Sequence, residues 1–330
     1  MSKPKVYVSK FVRPEVLARL GEVSEVQCWT GPDRCPPDVL ATEVSDVEAV
    51  LGSDRWTPEL MDQAPQLRLI ALTSAGIDKV DIPASTARGI LVTNTPGILT
   101  ETTADLTFAL IMSVARRVTE LERWFRAGHW RAVGETPMAS DVHHATLGII
   151  GMGRIGAAVA HRARGFHMNV LYHNRSRRPD LEAQYGYKYV DLETLLRQSD
   201  FVTVLAPLLP ETKKMIGAPQ LNMMKPSAFL INASRGPIVD EAALIKALQE
   251  KRIAGAGLDV FEKEPVKPDH PLLNMENVVA LPHVGSATEA TRQAMVDLAT
   301  DNILAVFRGK EPRTPVNPEV LPKLKKRASA

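Results

Sequence analysis

The sequence predicts an α/β fold built from two doubly wound parallel-sheet domains. Short apolar runs alternate with helix-like segments along the chain, a pattern typical of parallel strands that helices cover on both faces. A new series of strand candidates starts at Leu147, and one long helical segment follows the last of them. The 330 residues of the chain are enough for two domains of ordinary size.

The first domain opens with the strand-like run KVYVS and the helix-like run PEVLARLGE, which ends near Gly21. The runs VEAVLG, LRLIALTSAG and ILVTNTPG repeat the strand pattern. In the next segment, TETTADLTFALIMSVARRV, Leu106, Leu110 and Val114 recur at helical spacing, which predicts a mostly buried helix. This helix is the predicted start of the second domain.

Six strand candidates follow in the second domain: TLGIIG, MNVLYH, DFVTVLA, AFLINAS, AGAGLDV and VVALPH. Six strands is the size of a complete dinucleotide-binding sheet. The last helix, TEATRQAMVDLATDNILAVFRG, comes too late for that sheet, and the prolines of KEPRTPVNPEVLP after it disfavour regular structure. We therefore predict one domain formed by residues 1–100 and 287–330, and a second domain, with a sheet of dinucleotide-binding size, formed by residues 101–286.

Composition and charge exclude several classes of protein. The chain has 45% hydrophobic and 24% charged residues and a net charge of +2, so neither disorder nor a general attraction to nucleic acid or an anionic membrane is expected. Cys28 and Cys35 are expected to be free thiols, and His143 and His144 have no further ligand at metal-binding spacing, so no metal is expected. The N-terminus lacks a signal-peptide pattern, and no apolar run approaches the ~20 residues of a membrane span, so a cytoplasmic location is expected.

A glycine-rich segment, TLGIIGMGRIG, follows the first strand candidate of the second domain and opens a helix. Its Gly151, Gly153 and Gly156 have the spacing of a dinucleotide fingerprint: the first allows a tight turn, the second a close approach to a pyrophosphate and the third helix–strand packing. Arg154 and Ile155 begin the helix whose N–H groups would meet the phosphates. The alternative is a glycine-rich turn without a ligand.

The strand after the fingerprint ends in LYHNRSRR. A carboxylate that binds the ribose 2′-hydroxyl is expected about 20 residues after the glycines, but this position is Asn174. Arg175 and Arg177 follow, with Ser176 between them and Arg178 next. Arginine forks match phosphate oxygens, so the segment predicts a 2′-phosphate clamp led by Arg175 and a preference for NADP(H) over NAD(H). The alternative is a solvated, arginine-rich turn.

Three later strand candidates end in chemically active side chains. Arg235 follows AFLINAS, Asp259 ends AGAGLDV with Glu264 five residues later, and His283 ends VVALPH with Gly285 after it. Carboxyl ends of strands line the ligand crevice of an open α/β sheet. We therefore expect these side chains near a bound nicotinamide, although each of them alone could be an ordinary loop residue.

This combination suits hydride transfer to a 2-keto acid. Hydride addition to a carbonyl builds negative charge on its oxygen, and a histidine can donate the matching proton. A carboxylate against the other ring nitrogen fixes the tautomer and favours the protonated ring. An arginine can bind the substrate carboxylate and polarise the neighbouring carbonyl.

The chain resembles the D-isomer-specific 2-hydroxyacid dehydrogenases, and among them the glyoxylate/hydroxypyruvate reductases and 2-ketogluconate reductases. The resemblance rests on LTSAGIDKVD, TETTADLTFALIM, DVHHATLGIIGMGRIG, INASRGPIVDEAAL, AGAGLDVFEKEP and LPHVGSATEATR, in this order along almost the whole chain. It implies a Rossmann coenzyme domain inserted into a flavodoxin-like substrate domain, NADPH-dependent reduction of small 2-keto acids, and a homodimer formed through the coenzyme domain.

The resemblance also implies roles for particular residues. His283 is expected to donate the proton, Glu264 to be its carboxylate partner and Arg235 to bind substrate. The backbone of Ser74, Ala75 and Gly76 is expected to hold the substrate carboxylate. The residues expected at the cofactor are Thr107, Gly151, Gly153, Arg154, Ile155, Gly156, Asn174, Arg175, Ser176, Arg177, Pro207, Thr212, Ala233, Ser234, Arg235, Asp259, His283 and Gly285.

Two other functions remain open at this point. A corepressor-like scaffold that senses dinucleotides would share the fold, but the presence of all three catalytic side chains disfavours it. A 3-phosphoglycerate dehydrogenase would more often use NAD, which the arginines disfavour. The segment WRAVGETPMASDVHH departs from the mammalian-type reductases, so the sequence does not rank glyoxylate, hydroxypyruvate and 2-ketogluconate as substrates.

Overall fold

The computed structural model describes residues 3–31, 35–132, 134, 136–322 and 324. The chain divides into two compact units. The first contains Met1–Leu99 and Thr288–Ala330, and the second contains Thr100–Ala287. Each unit is built around a parallel sheet of its own, so the predicted α/β class is confirmed.

The sheet of the first unit has five parallel strands in the order β2-β1-β3-β4-β5. These strands are β1 (Lys5–Val8), β2 (Glu25–Cys28), β3 (Ala49–Gly52), β4 (Leu69–Leu72) and β5 (Leu91–Thr93). The first strand lies between the second and the third, so the strand order reverses beside β1. Polar loops that follow strands at such a point form a ligand crevice in doubly wound sheets.

Helices cover both faces of this sheet. They are α1 (Pro14–Gly21), α2 (Pro37–Glu43), α3 (Pro58–Asp62), α4 (Ile82–Ala87) and, from the end of the chain, α12 (Glu289–Phe307). One core joins β1, β3 and β4 to α1 and to Val296, Ala299 and Ile303 of α12. The other core packs Trp56 and Leu40 against the opposite face. Helix α12 therefore packs against the first sheet, as the sequence predicts.

The second unit has a seven-stranded parallel sheet in the order β12-β11-β10-β9-β6-β7-β8. The strands are β6 (Thr146–Ile150), β7 (Asn169–His173), β8 (Lys188–Tyr189), β9 (Phe201–Val204), β10 (Phe229–Asn232), β11 (Gly255–Leu258) and β12 (Val278–Ala280). The order reverses between β6 and β9, so the loops after these two strands border the switch point of the sheet.

The helices of the second unit are α5 (Thr100–Ala115), α6 (Val118–Arg126), α7 (Arg154–Arg164), α8 (Pro179–Tyr185), α9 (Leu192–Gln198), α10 (Ala218–Met223) and α11 (Glu241–Gln249). One core holds Phe108 and Ile111 of α5 with Val159 of α7. The other holds Leu195 of α9 with Leu244 of α11. Helices on both faces explain why its central strands consist almost entirely of buried residues.

Two strands were not among the predicted ones. In β2 the side chains are alternately exposed and half-buried, and β8 has only two residues. Both strands lie at sheet edges, where one-sided burial weakens the apolar signal. The proline-rich segment after α12 contains a bridge between Thr93 and Pro315 and a 3₁₀ turn at Pro318–Val320, so it is less irregular than predicted.

Cys28 and Cys35 are free thiols, as expected. Within the described ranges, no cluster of three or more His, Cys, Asp or Glu side chains could hold a metal ion. The helices in the same ranges are all too short or too polar to cross a bilayer. The segment 130–144, whose role the sequence leaves open, is described except at residues 133 and 135.

Candidate active site

Three neighbouring strands of the second sheet end at the residues that the sequence singles out. Arg235 lies three residues beyond β10, Asp259 directly follows β11, and His283 lies three residues beyond β12. Because these strands are adjacent and parallel, their carboxyl ends meet at one edge of the sheet. The loop after Asp259 carries Glu264 back to the same place.

His283 and Glu264 form a direct pair. Nδ1 of His283 lies 2.7 Å from Oε2 of Glu264, and the side chains are 47% and 36% exposed. Burial acts to raise the pKa of Glu264, but the hydrogen bond and charge of His283, the N–H of Phe261 and the charge of Arg235 outweigh it and lower that pKa. The carboxylate is therefore an acceptor, Nδ1 carries the proton, and Nε2 is the nitrogen that can exchange a proton.

The backbone that carries His283 is held by Asp259. His283 has φ +55°, in the left-handed region that a non-glycine residue seldom occupies. Its N–H donates to the carbonyl of Asp259 at 2.9 Å. The two carboxylate oxygens accept the N–H groups of Val284 at 2.7 Å and Gly285 at 2.8 Å. These contacts offset the strain of the left-handed turn.

Asp259 itself is almost fully buried. Burial raises the pKa of its carboxyl group, against the opposing effects of the Val284 and Gly285 N–H groups and of the His283 charge. Such a carboxylate in a strand-end cleft is typical of functional sites. Here it has a visible structural task, which is to shape the turn that presents the imidazole.

Arg235 is half-buried in a turn that Asn232 organises. The side-chain oxygen of Asn232 accepts the N–H of Ser234 at 3.1 Å, and its amide group donates to the carbonyl of Arg235 at 3.1 Å. Ser234 donates through its hydroxyl to the carbonyl of Ala206. Asn232 was not among the predicted site residues, although an Asn at a strand end before a Ser is a recognisable turn signal.

The turn of Arg235 touches the loop of Glu264 at one glycine. A Cβ atom on Gly236 would overlap the backbone of Phe261 and Glu262. Only a residue without a side chain lets the two backbones approach so closely. The arginine and the carboxylate are therefore set by loops in direct contact with each other.

The glycine loop has three different environments. Gly151 has φ +105°, and a Cβ there would lie 2.5 Å from the backbone nitrogen of Ala206. A Cβ on Gly156 would overlap the carbonyl of Gly151, whereas Gly153, which caps α7, faces open space. Arg154 and Ile155 open α7. Open space at the middle glycine and free N–H groups at a helix start suit a pyrophosphate.

The arginines after β7 differ in their partners. Arg177 pairs with Glu182, which accepts from its Nε at 3.1 Å, and its guanidinium stacks on Tyr189. Arg178 forms a bidentate pair with Asp180, with distances of 3.0 Å and 2.7 Å. Arg175 is 86% exposed, and its partner Glu211 lies 3.8 Å away.

Asn174 holds the glycine loop to the end of β7. Its side-chain oxygen accepts the N–H of Met152 at 2.8 Å. The guanidinium of Arg178 donates to the carbonyl of Met152 at 3.3 Å. Ser176 is exposed beside Arg175. Asn174, the neutral residue at this strand end, therefore helps to hold the glycine loop in place.

The other residues predicted at the cofactor lie in α5, in the loop after β9 and next to β10. Thr107 is buried in α5, where its hydroxyl donates to the carbonyl of Thr103 at 2.7 Å. Thr212 organises the loop after β9: its hydroxyl donates to the carbonyl of Pro207 at 2.7 Å. Ala233 is buried at the end of β10. All of them belong to the second unit.

Ser74, Ala75 and Gly76 form a turn after β4 in the first unit. The carbonyl of Ser74 accepts the N–H of Thr95 at 2.9 Å. The carbonyl of Ala75 accepts the amide of Asn94 at 2.7 Å, and that of Gly76 accepts the hydroxyl of Ser74 at 2.9 Å. In a trans peptide the N–H of the following residue points away from the carbonyl, so the N–H groups of Ala75, Gly76 and Ile77 face away from these contacts. Such N–H groups form anion-binding turns.

Comparison with known proteins places this site in a family. Residues 108–285 match the family described as D-isomer specific 2-hydroxyacid dehydrogenase, NAD binding domain. The chain is 48% identical over 325 residues to the glyoxylate reductase of Korarchaeum cryptofilum, with 97% of each chain covered. It is 51% identical over 263 residues to the glyoxylate/hydroxypyruvate reductase B of Shigella boydii, with 79% of this chain and 81% of the relative covered.

A solved structure agrees over the whole fold. The crystal structure of the NADPH-dependent glyoxylate/hydroxypyruvate reductase of Sinorhizobium meliloti, in complex with NADP and malonate, matches with a TM-score of 0.86 at 39% identity. The match covers 96% of this chain and 97% of that one. The resemblance predicted from the motifs is thus confirmed: the chain is an oxidoreductase with a nicotinamide-cofactor domain, and it belongs to the D-isomer specific 2-hydroxyacid dehydrogenase family.

Proposed function

We propose that this enzyme reduces small 2-keto acids, foremost glyoxylate and hydroxypyruvate, to D-2-hydroxy acids with NADPH. The observation that carries the proposal is the 2.7 Å contact between Nδ1 of His283 and Glu264, beside the half-buried Arg235. The names of the relatives from Korarchaeum cryptofilum and Shigella boydii support this substrate class.

The proposed reaction needs one proton and one hydride. The nicotinamide supplies the hydride when it is bound. Nε2 of His283 donates the proton to the carbonyl oxygen of the substrate, because Nδ1 is committed to Glu264. The ionised carboxylate stabilises the protonated ring before transfer. In the oxidative direction the neutral ring takes the proton back.

Each unit offers one group that is suited to a carboxylate. Arg235 offers a planar guanidinium, which matches a carboxylate with two parallel hydrogen bonds and polarises the adjacent carbonyl. The N–H groups of the Ser74–Gly76 turn are suited to an anion as well. The first unit would then be the substrate domain and the second the coenzyme domain.

NADPH is proposed because of Arg175. A 2′-phosphate needs a guanidinium that is not committed to a carboxylate, and Arg175 is the most exposed of the three arginines, with a long contact to Glu211. Ser176 can add a hydroxyl. The related Sinorhizobium meliloti enzyme is NADPH-dependent, which supports the same preference here.

A corepressor-like role and 3-phosphoglycerate oxidation are not favoured. A scaffold that only senses dinucleotides has no use for a histidine paired at 2.7 Å with a carboxylate and next to a substrate-type arginine. An enzyme specific for NAD would be expected to have a carboxylate at the position of Asn174. The reductase is therefore the better account of both the paired histidine and the neutral Asn174.

We further propose a homodimer formed through the second unit. Helix α6 has no buried residue, and Val118, Phe125, Trp130 and Met138 expose large apolar side chains on and near it. Exposed apolar patches of this kind mark association surfaces. Sedimentation velocity should show a dimer that Phe125→Glu dissociates; a wild-type monomer would contradict the proposal.

Initial rates with NADPH and NADH against glyoxylate, hydroxypyruvate, 2-ketogluconate and pyruvate test the function directly. We expect the highest kcat/KM for glyoxylate or hydroxypyruvate with NADPH, and a product of D configuration where the product is chiral. Absence of turnover with all four acids under both cofactors would overturn the proposal.

A further inference from the structure

A second imidazole–carboxylate pair joins the loop that carries Glu264 to the start of α11. Nε2 of His270 lies 3.0 Å from Oε1 of Glu241, and the two side chains are only 20% and 18% exposed. Nδ1 of the same ring accepts the N–H of Leu272 at 3.3 Å. An acceptor nitrogen carries no proton, so the ring proton is on Nε2 and points to Glu241.

Glu241 closes the loop at both ends. Its Oε1 accepts from His270, and its Oε2 accepts the backbone N–H of Glu262 at 3.0 Å. Glu264 lies between these two anchor points. Glu241 itself is fixed, because it is the first residue of α11 and Asp240 caps that helix by accepting the N–H of Ala243.

Phe261 links this closure to the catalytic carboxylate. Its N–H donates to Oε1 of Glu264 at 3.1 Å, and its ring lies with its centroid 6.0 Å from that of His270. The other oxygen of Glu264 meets Nδ1 of His283. A displacement of the loop would therefore move Glu264 relative to the imidazole.

The other charges at the two pairs are few among the described residues. Lys214 lies 3.2 Å from Asp240 and 3.7 Å from Glu262. The charge of Asp259 acts on His283, and that of Arg235 acts on Glu264. None of these groups bridges both ends of the loop as Glu241 does.

We propose that Glu241, with His270 as its partner, is a positioning residue that holds Glu264 against His283. This inference rests on the proposed function, in which Glu264 stabilises the protonated His283. Glutamine is a poor replacement: one arm of its amide is a donor, so it would face either the Nε2–H of His270 or the N–H of Glu262. One anchor of the loop is then lost whichever way the amide turns.

The test is the pH dependence of kcat/KM for glyoxylate reduction in Glu241→Gln, together with the NMR titration midpoint of His283 in the same protein without cofactor. We expect the alkaline limb and the NMR midpoint to move to lower pH, in the same direction as in Glu264→Gln. The loss of kcat/KM near neutral pH should be about tenfold or less, because displacing Glu264 cannot cost more than neutralising it. The KM for NADPH should stay unchanged.

The double variant Glu241→Gln/Glu264→Gln separates positioning from simple loss of charge. If Glu241 acts through Glu264, the double variant should have the same alkaline limb as Glu264→Gln alone. Glu262→Gln is the matched control, because it removes a negative charge from the same loop and keeps the backbone N–H that meets Glu241. It should keep the wild-type limb. His270→Ala removes the anchor at the far end of the loop and leaves the contact between Glu241 and Glu262. It should move the limb in the same direction, which keeps the test valid if Glu241→Gln does not fold.

The outcomes distinguish failure of the positioning role of Glu241 from failure of the His283–Glu264 pair itself. A wild-type limb in Glu241→Gln, or an additive shift in the double variant, overturns the positioning role and leaves the His283–Glu264 pair intact. If Glu264→Gln itself leaves the limb and the NMR midpoint unchanged, the proposed pair fails, and the role of Glu241 fails with it.

Discussion

Two imidazole–carboxylate pairs lie beyond the ends of β10, β11 and β12, and they have opposite arrangements. In the His283–Glu264 pair the carboxylate meets Nδ1 at 2.7 Å, and the imidazole is 47% exposed. In the His270–Glu241 pair the carboxylate meets Nε2 at 3.0 Å, and the imidazole is 20% exposed. The second ring also accepts a backbone N–H, so both of its nitrogens are engaged.

The contrast separates a group that can react from one that holds structure. A histidine that exchanges protons with a substrate needs one accessible nitrogen and a partner for the other. His283 has that arrangement, and His270 does not. The chemical groups of the two pairs are the same, so the different roles proposed for them rest on exposure and hydrogen-bond partners alone.

The largest effect should come from removing the imidazole of His283, and the matched change is removal of the imidazole of His270. His283→Ala should lower kcat/KM for reduction by about 100-fold or more, the usual scale for a positioned general acid. His270→Ala, with the same change in composition, should lose clearly less, because it weakens the position of Glu264 only. Steady-state kinetics of the two variants decides this, and equal losses would contradict the contrast.

The arginines after β7 differ in a similar way: Arg177 is paired closely with a carboxylate, whereas Arg175 is highly exposed and has only a long contact to one. Arg175→Ala should lower kcat/KM with NADPH by about 10- to 100-fold, the equivalent of a charged hydrogen bond of roughly 1.5–3 kcal/mol, and should leave kcat/KM with NADH nearly unchanged. Arg177→Ala is the matched control, since Glu182 already pairs with this guanidinium. Equal losses with both cofactors in Arg175→Ala would show that no 2′-phosphate is bound there.

Glu264→Gln removes the negative charge of the proposed catalytic pair and keeps the shape of the side chain. Glu264 has a lowered pKa, so it stays ionised through the neutral range and favours the protonated imidazole of His283. The proposed reduction needs that protonated form, so kcat/KM for reduction should fall as pH rises. Glu264→Gln should move this alkaline limb to lower pH, with about tenfold loss near neutral pH. Oxidation should show the mirror profile. Unchanged pH profiles in both directions would contradict the proposed pairing of His283 with Glu264.

The smallest catalytic effect is expected where the two loops touch. Gly236→Ala places a methyl group against the backbone of Phe261 and Glu262, which should reduce the free energy of unfolding by about 1–3 kcal/mol, as overpacking does. The loss of kcat/KM should be severalfold. Gly21→Ala is the control, since a Cβ there meets no atom within 4 Å. Chemical denaturation of both variants measures the difference.

The sequence was sufficient for the groups that stand at strand ends. Arg235, Asp259 and His283 each follow an apolar run, and adjacency of parallel strands then brings such residues together. Gly151 and Gly156 were predictable because fixed spacing reflects a local turn. The edge strands β2 and β8 were missed because they are short or buried on one side only.

The supporting residues could not be found in this way. Glu241 begins a helix in sequence and reads as an ordinary first-turn acid; its contacts with Glu262 and His270 span 21 and 29 residues. The partners of Arg177 and Arg178 also depend on where α8 places its carboxylates. Which arginine stays available is thus a property of the folded chain.

The tied carbonyls of the Ser74–Gly76 turn have a thermodynamic consequence. Because Thr95, Asn94 and Ser74 already fix each peptide plane, an anion bound by the outward N–H groups would find its donors ordered in advance. Binding would then cost little conformational entropy. Calorimetry of small carboxylate inhibitors should accordingly show a modest entropic penalty, and Asn94→Ala, which frees one peptide, should enlarge that penalty more than it changes the enthalpy.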